Sequence, residues 1–161
     1  MFGLTGWKVG FLCAAPALTH TLARTHQFLT FTTAPNLQAA VAWGLGHSDA
    51  WFRDMPRDLE RSRDRLTDGL RREGFAVLPS EGTYFLNVDL AGSGVTEGDR
   101  DFCLRAVKDA GVAAIPVSAF YEADPVTRIV RLCFSKADAT LDEGVKRLAK
   151  ARESRSSTPS R

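Results

Sequence analysis

The stretch Phe2-Gly3-Leu4-Thr5-Gly6-Trp7-Lys8-Val9-Gly10-Phe11-Leu12 decides the reading of this chain. Taken as a strand from Trp7 onward, Trp7, Val9 and Phe11 point to one side and Gly6, Lys8, Gly10 and Leu12 to the other. The second side carries one cation with a glycine two residues away in each direction. Neighbours without side chains leave room beside Lys8 for a bulky group, and a phosphate suits the ammonium as a point charge. An edge-strand lysine that discourages sheet-to-sheet pairing explains the same spacing.

Downstream, Pro16 opens a helix over 16–28, with Leu18, Leu22, Thr25 and Phe28 marking its buried side. Pro35 interrupts the aromatic run Phe28–Phe31. Asn36 is placed as the N-cap of a second helix through Leu37, Ala40, Val41 and Gly44. Ser48 or Asp49 caps a long helix to about Glu73, with Phe52, Met55, Leu59, Leu66 and Leu70 at helical spacing and Pro56 absorbed as a kink. Gly74 sits where a left-handed cap suits glycine.

The period then falls to two. Phe75–Leu78 and Thr83–Leu90 read as strands around the turn Pro79-Ser80-Glu81-Gly82, with Gly82 expected at positive φ. A helix from about Asp99 to Ala110 ends at Gly111. Val112–Val117 and Ile129–Phe134 read as strands, and Thr140-Leu141-Asp142-Glu143 reads as a capping box. Leu141, Val145 and Leu148 give the last helix its buried side. The Ser- and Arg-rich tail has no apolar period and is expected to be disordered.

A length of 161 residues suits one domain, or one lobe with a piece of another, and 44% hydrophobic residues allow a core. The net charge of +2 is too small to argue for nucleic acid, and no basic run is interleaved with aromatics. Cys13, Cys103 and Cys133 form no CxxC pair, so the reading is no metal, no disulfide and a reducing cytoplasm. His20, His26 and His47 lack metal-ligand spacing. The first residues do not read as a signal peptide, and no apolar run approaches the ~18 residues of a membrane span. Gly92-Ser93-Gly94-Val95-Thr96-Glu97-Gly98 mimics a dinucleotide loop, but Glu97 stands where the fingerprint needs glycine.

Arg131 is the second notable cation. In Ile129-Val130-Arg131-Leu132-Cys133-Phe134 a charge is costly unless paired. A guanidinium on a strand grips a carboxylate with two parallel hydrogen bonds, and pairing with a carboxylate of its own fold explains the position equally well.

The opening run resembles the segment after the Schiff-base lysine of class I/II aminotransferases, the fold-type I pyridoxal phosphate enzymes. The similarity is greatest to the kynurenine/glutamine and methionine aminotransferase branch. There the run reads Lys-Thr-Phe-(small)-x-Thr-Gly-Trp-(Lys/Arg)-(Val/Ile)-Gly. Phe2 takes the Phe place and Met1 the Thr place, so the lysine is expected just before Met1 and no catalytic residue is assigned within the chain.

The resemblance implies the C-terminal part of an α/β fold: residues 1–47 ending a large cofactor domain, 48–152 forming a linking helix and a small α+β domain, and 153–161 a tail. It implies that Lys8 contacts the phosphate of pyridoxal 5′-phosphate and that Arg131 holds the amino acid α-carboxylate. Pro79–Phe85 is similar to the family's Pro-x-Gly-x-(Tyr/Phe)-Phe turn, which places Tyr84 or Phe85 by the substrate or in the core. Ala114–Tyr121 matches the loop near the substrate entrance, with Phe120 and Tyr121 shaping specificity or simply packing. His26–Pro35 resembles a segment at a homodimer interface, where Phe31 would reach the partner's site.

The implied activity is amino transfer from an amino acid to a 2-oxo acid, with the isolated chain inactive. A carbon–sulfur β-lyase of the same fold and a non-enzymatic dimerising remnant are the alternatives.

Overall fold

The computed structural model describes residues 5–46 and 49–153. The tail expected to be disordered lies outside them from residue 154 on. The described residues divide into two compact units, between Phe52 and Arg53.

The first unit is helical. Thr5–Trp7 forms one 3₁₀ turn, α1 spans Pro16–Leu29 and α2 spans Pro35–Leu45. The strand expected from Trp7 does not form. Lys8 turns into the left-handed region at φ 55, which breaks the alternation, and no described strand pairs with this segment. An extended run without a ladder partner has no hydrogen bonds to hold it flat.

Pro16 occupies the first turn of α1, as expected, but Leu18, Leu22, Thr25 and Phe28 are exposed rather than buried. Asn36 is not a cap. Ala34 holds that place and Pro35 is the first helical residue, where a missing N–H costs nothing.

In the second unit α3 runs Asp49–Arg72 from across the division, followed by β1 at Ala76–Val77 and β2 at Phe85–Asp89. Then come α4 at Asp99–Arg105, β3 at Ile115–Pro116, β4 at Ile129–Cys133 and α5 at Asp138–Glu153. The sheet is antiparallel in the order β1-β2-β4-β3.

Alternation sorts its faces. Leu86 and Val88 of β2 and Val130 and Leu132 of β4 turn inward, where they join Leu66, Leu70, Phe102, Leu141, Val145 and Leu148 in one core. Each such side chain contributes about 1.5–3 kcal/mol by leaving water. Phe85, Asn87, Arg131 and Cys133 turn away from that core.

Several boundaries differ from the sequence reading. Positive φ falls on Thr83 (φ 63), not Gly82. The Thr83 hydroxyl accepts the Phe85 N–H at 3.0 Å and so supports the turn locally. The helix after Gly98 is α only to Arg105. It then widens into a π turn over Ala106–Ala110 before Gly111 closes it at φ 66.

The strand expected over Val112–Val117 is reduced to two residues, because Val117–Phe120 winds into a 3₁₀ turn. The capping box at Thr140 is not one. The Ala137 carbonyl accepts the Thr140 and Leu141 N–H groups, so α5 starts at Asp138 and Thr140 lies inside its first turn. The Asp138 carboxylate meanwhile accepts from Arg61 at 2.9 Å and Arg65 at 3.3 Å, tying α5 to α3.

Candidate functional site

Arg131 sits mid-strand with Asn87 opposite on β2 and Ile115 opposite on β3. Its guanidinium lies 4.2 Å from the centre of the Phe85 ring and 4.5 Å from that of Phe120. Two aromatic rings therefore hold the plane of charge, each interaction contributing roughly 0.5–2 kcal/mol.

The rings satisfy none of the in-plane N–H groups. Nε is buried without a hydrogen-bond partner, and Arg131 forms no ion pair among the described residues. A pairing with a carboxylate of its own fold, one explanation of the sequence position, is thus not made there. What remains is a cation held in place with its hydrogen-bonding edge unused. That edge is matched by a carboxylate, which accepts two parallel bonds.

Phe85 reaches this position from β2, which the ladder fixes. Tyr84 packs against the core, its ring 4.4 Å from that of Phe85. Of that pair, Phe85 is the one over the guanidinium. Phe120 comes from the 3₁₀ turn after β3 and is otherwise exposed, as is Tyr121.

That turn is anchored by Ser118. Its N–H and its hydroxyl each donate to the Asp99 carboxylate at 2.8 Å, and both residues are buried. Sequence reasoning passed over Asp99 and Ser118. Nothing in a helix-starting aspartate and a serine 19 residues later signals that they meet.

Lys8 and Phe31 belong to the first unit. Both are exposed and both hold left-handed backbone, at φ 55 and φ 65. Non-glycine residues held there cost of order 1 kcal/mol each and concentrate at functional positions. Lys8 forms no ion pair among the described residues, and a side chain built at Gly6 or Gly10 would meet nothing within 4 Å. Both glycines border open space, but the shared strand face on which the sequence argument set Lys8 between them does not form; an exposed ammonium with no ion pair among the described residues is a group that could meet a phosphate.

Two open depressions, of about 340 Å³ beside Met55, Arg63 and Phe134 and about 510 Å³ beside Asp99, Ser118 and Tyr121, do not include Arg131. The site is an edge on a sheet face rather than an enclosed cavity. Among the described residues no cluster of His, Cys, Asp or Glu is placed to hold a metal, and no helix is long and apolar enough to cross a membrane. Cys13, Cys103 and Cys133 are free thiols.

Arg131 is thus an arginine without an ion pair among the described residues, on the sheet face turned away from the core. The family model for aminotransferase class I and II matches residues 1–148, and the chain belongs to that family. A probable N-succinyldiaminopimelate aminotransferase of Mycobacterium tuberculosis is 39% identical over 158 residues, with 92% of this chain and 40% of the relative covered. The Escherichia coli methionine aminotransferase is 38% identical, covering 91% and 38%. Kynurenine–oxoglutarate transaminase 3 of Rattus norvegicus is 32% identical, covering 88% and 35%.

A solved N-succinyldiaminopimelate aminotransferase from M. tuberculosis superposes with a TM-score of 0.82 at 40% identity, covering 91% of this chain and 38% of that one. These are fold-type I neighbours, so the expected fold class holds. The chain spans about two fifths of the length of these relatives.

Proposed function

We propose that these residues carry the substrate anchor and one phosphate-facing cation of a pyridoxal 5′-phosphate-dependent aminotransferase acting on an amino acid and a 2-oxo acid. The observation that carries the reading is Arg131, held against the rings of Phe85 and Phe120 with its buried Nε–H unpartnered and no ion pair among the described residues. When bound, pyridoxal phosphate draws electron density from the amino acid Cα and stores the amino group between the two half-reactions.

The chain's own residues supply the rest. Arg131 donates to the α-carboxylate of either substrate and thereby orients its Cα. Phe85 and Phe120 exclude water from the faces of the guanidinium, which strengthens the ion pair by lowering the local dielectric. Lys8 neutralises part of the phosphate charge. Tyr84 supports Phe85 from the core side.

Family membership supports the wider assignment. Residues 1–47 end the cofactor-binding domain, α3 links it to the small domain over 48–152, and Phe31 faces the partner in a homodimer. Three free thiols agree with a cytoplasmic setting.

None of the 161 residues is assigned the role of the family's proton-moving lysine in this reading, and the chain by itself is expected neither to attach the cofactor covalently nor to transaminate. Mixing the chain with pyridoxal phosphate and reducing with borohydride tests this. No fixed adduct is expected, and an adduct at Lys8 overturns the assignment of Lys8 as a phosphate contact. Coding sequence upstream of Met1 is the companion test, where an in-frame lysine after a Ser/Gly stretch is expected.

A further inference from the structure

Phe120 lies over the Arg131 guanidinium, yet it stands on a 3₁₀ turn of four residues and is 60% exposed. A turn that short has poor hydrogen-bond geometry and little stability of its own. Its fixed point is Ser118, which is 5% exposed and donates twice to a carboxylate that is 1% exposed.

Asp99 is the first residue of α4, where the unpaired amides of a helix start favour negative charge. Its own N–H donates to the Thr127 carbonyl at 2.7 Å, two residues before β4 begins. One buried residue thus ties the start of α4 to the turn that carries Phe120 and to the run-in of the strand that carries Arg131. Charge-assisted bonds at two atoms of Ser118 fix both the position and the rotation of that turn.

We infer that Asp99 and Ser118 are positioning residues for the substrate anchor: their buried bond pair holds Phe120 over Arg131 and so fixes the direction in which the guanidinium edge points. The inference rests on the proposed role of Arg131, but the placement itself can be measured without substrate.

Side-chain Nε–H signals of arginine in the isotope-labelled 161-residue chain supply the readout, with Arg131 assigned by its absence in Arg131→Lys. Ring faces 4.2 and 4.5 Å from the guanidinium carbon move that proton upfield of free arginine, and burial slows its exchange with water. Phe120→Ala defines the loss when one ring is removed.

Ser118→Ala is expected to give the same loss of upfield shift and of protection at unchanged helix content. Ser118→Thr, which keeps the hydroxyl, is expected to retain the wild-type signal. Asp99→Asn is expected to match Ser118→Ala; where it does not fold, Ser118→Ala decides, since it keeps the backbone bond to Asp99. A wild-type signal in folded Ser118→Ala, alongside a shifted one in Phe120→Ala, refutes the positioning role.

Titration of the unsubstituted chain with acetate is read on the same proton. An Arg131 signal that ignores the carboxylate counts against the anchor reading, whereas the variant spectra alone decide the positioning claim.

Discussion

Replacing Arg131 with methionine separates an arginine kept for substrate from one kept for the fold. Methionine preserves an unbranched stem between Phe85 and Phe120, with sulfur–aromatic contacts of about 0.3–1.5 kcal/mol. The substitution gives up two cation–ring interactions of roughly 0.5–2 kcal/mol each. It also removes the buried, unpartnered Nε–H, a group whose lost hydration costs about 1–3 kcal/mol.

These contributions nearly cancel. The expected change in unfolding free energy is within about 1 kcal/mol of zero, since the opposing effects are of equal size. An arginine paired inside its own fold behaves otherwise, because breaking a buried pair leaves a lone charge and costs about 3–5 kcal/mol.

Urea unfolding followed by far-ultraviolet circular dichroism reads the difference. Tryptophan fluorescence is not used, since Trp7 and Trp43 precede the boundary at Arg53 and Trp51 stands in the first turn of α3, at the division between the units. A destabilisation of about 3 kcal/mol or more refutes the account, because it would mean that the fold itself uses the charge.

Gly69→Ala places a methyl group 2.9 Å from Val145 Cγ2, so overpacking of about 1–3 kcal/mol outweighs the roughly 1 kcal/mol gained in helix propensity. The variant is expected to unfold at lower urea, and adding Val145→Ala should remove the clash term. The Arg65 hydrogen bond holds the exposed Asp142 carboxylate below its ordinary value of 3.8. Its contribution is therefore full above that value and lost as pH falls through the lower folded one, and Asp142→Asn should flatten the stability profile in that acid range. Burial, with the negative charge of Asp99 adding to it, pushes the Cys103 thiol up to about 12. A disulfide reagent near pH 8 should modify the exposed Cys13 and reach Cys103 only after unfolding.

Local periodicity carried much of the second unit. Leu66 and Leu70 of α3 and Leu141, Val145 and Leu148 of α5 are buried at the spacing that marks them, and Gly74 takes the left-handed cap at φ 77. What periodicity cannot supply is the identity of a strand's partner. Trp7, Val9 and Phe11 alternate as a strand would, yet the segment has no ladder and Lys8 turns out of it. Thr140 has the residue pattern of a cap, but Asp138 is held by Arg61 and Arg65 of another helix, and that long-range pairing goes with an earlier start.

The candidate site divides the same way. Arg131 stands out as a charge in an apolar strand, and the Tyr84-Phe85 pair and Phe120 stand out as aromatics beside turns. Only the β2–β4 register puts Phe85 rather than Tyr84 on the face of Arg131. The bond from Ser118 to Asp99 is a tertiary contact with no local signature.

The most direct test joins residues 1–161 to the lysine-bearing N-terminal segment of a family member and compares an amino acid with the matching amine that lacks the carboxylate. With Arg131 in place, the amino acid should be used far more efficiently than the amine. Arg131→Gln should raise KM for the amino acid by about 30-fold or more, as expected for a loss of 2–5 kcal/mol, and leave the amine unchanged. A glutamine variant that still prefers the amino acid as strongly as the parent would contradict the account.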